Sequence, residues 1–239
     1  MLKYGTNNIG KVYLGSNLIG KAYLGNNLVY QSGGAPTPTG PVFYDNLIFD
    51  GTAYIDTDIV PSASASFKVV LGEETSHRAQ RVFRCQAANS TTTGLILSDS
   101  TGDTNRWLDV FYGTSSRAGN RSLTWDEPIY TFFLTPNRYG FGNISSTITN
   151  GGNDATGGII LGSNVSHNGN PYTGIMRTFY IYGSDAQNCT KASDFSNYTP
   201  VATLRPCIYG GRAGMWHVEG ERFYGNTAGS GTLTVSNNT

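Results

Sequence analysis

The side chains with the most chemical reach in this chain are aromatics set among glycine, asparagine and arginine. Trp107, Tyr112, Trp125, Tyr139, Tyr172 and Trp216 are the large rings with a polar handle. A sugar stacks its C–H face on such a ring while Asn, Asp and Arg satisfy its hydroxyls. Trp107 and Trp216 stand in strand-like runs, where a ring is more often core. Trp125 is followed by Asp126, Glu127 and Pro128, and Tyr172 closes the run Asn168-Gly169-Asn170-Pro171-Tyr172. Both read as loop aromatics. With Arg117 and Arg121 nearby in turn-like sequence, Trp125 and Tyr172 are the candidate ligand-binding residues.

Catalysis is not expected. A glycosidase needs two carboxyl groups about 5–10 Å apart across the scissile bond. The nearest acidic pairs are Glu73-Glu74 and Glu219/Glu221. Adjacent strand residues face opposite ways, and Glu219-Gly220-Glu221 reads as a hairpin turn. No Gly-x-Ser-x-Gly elbow occurs. His77, His167 and His217 are scattered, and neither His-x-x-x-His nor Cys-x-x-Cys spacing exists, so no metal and no cofactor is expected. Asp99, Asp103, Asn105 and Asp109 surround a turn, and an ordinary Asx turn accounts for them better than a calcium loop.

Composition narrows the class further. With 31 glycines, 15 tyrosines, 11 phenylalanines and only 13% charged residues, the chain is rich in turns and strands and poor in helix formers. Its 16 basic and 16 acidic residues cancel, and no like-charge run stands out, which argues against nucleic-acid and membrane-surface partners. Cys85, Cys189 and Cys207 are an odd number and far apart, so reduced, mostly buried thiols are expected. The start, Met1 to Asn8, has no apolar core of signal-peptide length, and no transmembrane run occurs.

The elements that must position these side chains divide into three regions. Residues 1–31 form an N-terminal β-repeat module: Ile9 to Leu18 is followed at once by Ile19 to Leu28, differing only at Val12/Ala22 and Ser16/Asn26, with a truncated copy beginning at Val29-Tyr30. Gly-Ser-Asn and Gly-Asn-Asn supply turns. A three-strand meander, or one strand per turn of a small prism, is expected. So few residues bury too little apolar surface to stand alone, so the module needs a partner. Residues 32–41 are a linker rich in Gly, Pro and Thr. Residues 42–239 carry strand signals about every ten residues, the spacing of a two-sheet sandwich. These run over Ser66–Leu71, Arg81–Gln86, Gly94–Leu97, Trp107–Tyr112, Ile129–Leu134, Tyr139–Gly142, Ile144–Thr149, Gly158–Leu161 and Met176–Tyr182. Asp185 to Phe195 reads as a loop or a single turn.

The chain closes on Pro206-Cys207, Gly214-Met215, Phe223-Tyr224-Gly225-Asn226 and Gly229-Ser230-Gly231-Thr232. This order resembles the closing segment of concanavalin A-like (LamG-type) β-sandwich domains, with His217 where that family more often has Asp. Phe49-Asp50-Gly51-Thr52 and Tyr54-Ile55-Asp56-Thr57 resemble the same family's opening. The resemblance implies an all-β, two-sheet antiparallel jelly roll whose first and last strands lie together. Of Phe223 and Tyr224, Phe223 is expected between the sheets, because it has no hydroxyl to satisfy. The short repeats resemble N-terminal segments of phage tail and fibre proteins. That resemblance implies a virion structural protein, a tail or head fibre or a decoration protein, made in the host cytoplasm. It would bind other virion proteins through residues 1–31, form a dimer or trimer, and display a sandwich that binds a host-surface glycan. A glycan-active enzyme and a ligand-free spacer are the alternatives.

Overall fold

The computed structural model describes residues 3–4, 7–8, 13–14, 17–18, 21–24, 27–31, 40–74, 80–87, 93–99, 106–113, 122–123, 129–148, 155–163 and 171–238. The chain divides into two compact units, residues 1–42 with 209–211, and residues 43–208 with 212–239.

In the first unit the repeat is built from hairpins rather than from single strands. Lys3–Tyr4 pairs with Asn7–Asn8, Tyr13–Leu14 with Asn17–Leu18, and Lys21–Leu24 with Asn27–Gln31. The facing pairs Lys3↔Asn8, Tyr13↔Leu18 and Tyr23↔Leu28 recur every ten residues. Paired hairpins stand where a three-strand meander or one strand per turn of a prism was expected.

The second unit is a sandwich of two antiparallel sheets. Its strands are β1 (Asn46–Asp50), β2 (Ile55–Asp56), β3 (Ser66–Glu74), β4 (Gln80–Ala87), β5 (Gly94–Asp99), β6 (Arg106–Phe111), β7 (Ser122–Leu123) and β8 (Tyr130–Leu134). They continue with β9 (Arg138–Phe141), β10 (Ile144–Thr147), β11 (Ala155–Leu161), β12 (Thr173–Tyr182), β13 (Ala202–Tyr209), β14 (Arg212–His217), β15 (Arg222–Gly225) and β16 (Leu233–Ser236). The larger sheet runs β10-β9-β8-β3-β12-β13-β14-β15, with β1 between β12 and β16. The smaller runs β7-β6-β5-β4-β11-β2. β13 carries Pro206 within it. A proline lacks the N–H a ladder needs, but its carbonyl still accepts the Tyr44 N–H at 3.0 Å.

Alternating apolar residues of both sheets make the core. Phe83 of the smaller sheet lies 5.2 Å from Phe67 and 4.9 Å from Phe179 of the larger, centroid to centroid. Such tilted and edge-on rings add to the burial energy of the side chains themselves. A second cluster covers the outer face of the larger sheet. The segment expected as a loop forms two short 3₁₀ turns, Ser184–Ala186 and Ala192–Asn197. They place Ala186, Cys189, Ala192 and Phe195 over Phe133 and Tyr182.

The opening and closing motifs lock together. β1 pairs with β16 through Leu233↔Phe49 and Val235↔Leu47, so the first and last strands of the sandwich are neighbours as expected. The Asp50 carboxylate accepts the Thr52 and Ala53 N–H groups, the Thr52 hydroxyl and the Thr232 N–H. Burial raises its pKa, but these bonds to the charged form outweigh it and hold the carboxyl below its ordinary range. Gly231 completes the lock. Its φ is +86°, and a Cβ there would stand 2.5 Å from the Ala53 nitrogen, so only glycine fits.

Candidate functional site

The closing hairpin forms one end of the larger sheet. β14 and β15 are joined by Val218 to Glu221, and Glu221 has φ +48°. Met215 faces Tyr224 across the ladder and Trp216 faces Phe223. Because strand side chains alternate, Met215 and Tyr224 enter the core while Trp216 and Phe223 lie on the outer face, half-buried. Gly214 and Gly225 make the next pair on that outer face. The Phe223 ring lies directly over Gly214, where a Cβ would stand 2.7 Å from it. The Arg212 guanidinium lies 5.9 Å from the Phe223 ring centre. Two glycines thus leave a flat floor for the Phe223 ring, with a cation at its side and Trp216 facing it across the ladder.

The inner edge of the hairpin carries a polar group. Asp58, which follows β2 of the opposite sheet, accepts hydrogen bonds from Arg222 and from the Tyr224 hydroxyl. The Arg222 guanidinium lies 5.3 Å from the Tyr224 ring centre. Burial first, then the Asp58 bond and charge, push the Tyr224 phenol up to about 12, with Arg222 acting the other way. The Asp58 and Arg222 side chains remain 52% and 59% exposed, so both can still meet a ligand. Glu219 is tied down: its carboxylate accepts the Thr203 N–H at 2.6 Å and the Thr203 hydroxyl at 2.7 Å.

This geometry corrects two expectations. Tyr224, not Phe223, is the ring between the sheets, at 7% exposure. Its hydroxyl does need a partner, and Asp58 provides one at the rim, 166 residues away in sequence. Tyr172, expected as an exposed loop aromatic, is fully buried. Its ring packs edge-on against Phe49 at 5.7 Å, and its hydroxyl donates to the Ile175 carbonyl at 3.0 Å. It therefore offers no ring face to a ligand. Trp125, Arg117 and Arg121 lie outside the described residues, although Ser122–Leu123, between Arg121 and Trp125, pairs with Arg106 and Trp107 at the edge of the smaller sheet. Tyr112 and Tyr139 are core. Trp216 stands on the outer face, and its alternation with Met215 was the available signal. Among the described residues no three His, Cys, Asp or Glu side chains group closely enough for a metal ion. Cys85, Cys189 and Cys207 are all buried and free.

No family model matches the chain, and no curated protein does. Solved structures do. A candidate carbohydrate binding protein from Bacteroides ovatus matches with TM-score 0.53 and 14% identity, over 89% of this chain and 67% of that one. The fold is a concanavalin A-like two-sheet antiparallel jelly roll. A heptameric SAP-like pentraxin from Limulus polyphemus (TM-score 0.44, 13% identity) covers 57% of this chain and 74% of its own. Domains LG4-5 of the mouse laminin alpha1 chain (TM-score 0.43, 15% identity) cover 65% of this chain, which in turn spans 45% of theirs.

Proposed function

We propose that this sandwich is a non-enzymatic saccharide-binding module whose contact surface is the outer face of the closing hairpin. The observation that carries the reading is the cross-strand pair of Trp216 and Phe223 on the outer face, with Phe223 set on a glycine floor beside Arg212, in a lectin-like fold. Half-buried rings give a sugar a rigid stacking surface at little entropic cost, and the guanidinium supplies donors to its hydroxyls. Asp58 and Arg222 add an exposed acceptor and donor on the same sheet end. The chemistry is recognition rather than hydrolysis, because the Glu219 carboxylate is engaged by Thr203 instead of facing a second acid. The N-terminal hairpin repeat fits an attachment role, through which the chain joins other virion proteins as a dimer or trimer. Its resemblance to phage fibre segments supports a displayed virion protein that meets a host-surface glycan.

A glycan array probed with the full chain tests the reading. Binding to a restricted set of saccharides, reduced at least tenfold in Trp216→Ala with unfolding unchanged, is the expected outcome. Release of reducing sugar from a bound polysaccharide, abolished in Glu219→Gln, would replace recognition by catalysis. Silence across the array would leave a structural spacer.

A further inference from the structure

The outer face of the smaller sheet holds a second constellation. In a regular strand Arg81 and Arg84 would point to opposite faces. β4 is not regular: Arg81 pairs with Ile96 and Arg84 with Gly94, with a register shift between Arg81 and Phe83. A bulge at this point inserts one extra residue. Ile96 and Gly94 are two apart on β5, so both arginines come to the same face. Val82, Phe83 and Cys85 go to the core instead.

The Arg84 side chain lies flat across the sheet. A Cβ on Gly94 would stand 2.4 Å from its Cδ, so the absence of a side chain there is what gives it room. Its guanidinium ends 5.0 Å from the centre of the Phe111 ring on β6. Gly94 faces Phe111 in the ladder, and Ile160 on β11 flanks Arg84 on the other side. Asp56 stands beyond Ile160, two strands away. The Nε atoms of Arg81 and Arg84 are both buried without a hydrogen-bond partner, and among the described residues no carboxylate forms an ion pair with either. Burial, and then the neighbouring Arg81 charge, lower the Arg84 pKa. The Arg84 guanidinium is thus set against a ring, with Arg81 on the same face and both Nε atoms out of water.

We infer that Arg81 and Arg84, with the Phe111 ring, form a second binding site, on the sheet opposite the closing hairpin, for an oxyanion carried on a saccharide, a carboxylate or a sulfate. A planar guanidinium fork matches such a group in bidentate fashion, and burial strengthens each charge-assisted bond. The inference rests on the saccharide-binding reading and adds a second site, on the other sheet, that takes an acidic saccharide. A chain of zero net charge has no general attraction for polyanions, so affinity for one reports a local site.

The test is affinity electrophoresis of the full chain in gels containing polygalacturonate, dextran sulfate or neutral dextran. Retardation by one or both acidic polymers and not by dextran is expected, and the polymer that acts tells carboxylate from sulfate. Arg84→Gln and Arg81→Gln should each weaken it about ten- to hundredfold. Arg84→Lys, which keeps the charge and the stem but loses the fork, should fall between. Equal retardation by dextran, or acidic binding unchanged in the Arg81→Gln/Arg84→Gln double variant, overturns the inference and leaves saccharide binding standing. No retardation by any polymer, with an array silent as well, overturns both.

Discussion

Removing the Tyr224 ring should unfold the closing hairpin far more readily than removing its neighbour. Tyr224 is 7% exposed and packs in the main core opposite Met215, whereas Phe223 is half-buried on the outer face. Deleting a buried aromatic ring costs about 3–5 kcal/mol, a large part of the roughly 5–15 kcal/mol that holds a domain folded. Phe223→Ala removes a ring that is already partly wet, and should cost about 1 kcal/mol. Tyr224→Phe keeps the packing and loses only the bond to the half-exposed Asp58, which water can replace, so about 1 kcal/mol is expected there too. For a domain of this size each kcal/mol moves the midpoint by about 2–4 °C. Thermal unfolding followed by circular dichroism should therefore place Tyr224→Ala about 6–20 °C below wild type and the other two within a few degrees. A larger loss in Phe223→Ala, or equal small losses in both alanine variants, would refute the assignment of Tyr224 to the core.

Four further outcomes follow from the fold and the proposed function. Asp50 is held below its ordinary pKa, so its contribution is present at neutral pH and disappears as pH falls below about 4. Acid titration of Asp50→Asn should accordingly show a shallower loss of stability than wild type. At the alkaline end, Tyr224 titrates near 12 when folded against about 10 when unfolded. Its contribution is complete below pH 10 and is lost as pH rises through 12, which a pH series of melting curves on wild type and Tyr224→Phe will resolve. Burial pushes the Cys207 and Cys189 thiols up to about 11, so an aromatic disulfide reagent at pH 8 should react with them only upon unfolding. Deleting residues 1–31 should leave a folded sandwich that no longer self-associates or joins particles, as read by light scattering and particle pull-down.

The sandwich was legible because its punctuation is local. Asp50-Gly51-Thr52 and Asn226 to Gly231 are turn formers whose bonds close within a few residues, and the strands between them carry alternating apolar residues. Side-chain direction was less legible. Whether Phe223 or Tyr224 turns inward is decided by pairing with Met215 and by Asp58 from the start of the domain. Tyr172 was misplaced for a related reason: its flanking Asn, Gly and Pro read as loop, while Phe49 and the Ile175 carbonyl draw the ring inside. The Arg81–Arg84 pair was invisible because a bulge breaks the alternation from which facing is read. The repeat was visible, but its folding as paired hairpins was not, since a ten-residue period fits a single strand and a turn equally well.

Saccharide binding through the closing hairpin is the central claim, and a titration of the full chain against its strongest array ligand tests it most directly. Followed by tryptophan fluorescence, the titration should saturate in wild type, and the saturable change should vanish in Trp216→Ala while the melting temperature stays within a few degrees. Saturable binding that survives in Trp216→Ala with undiminished affinity would contradict the account.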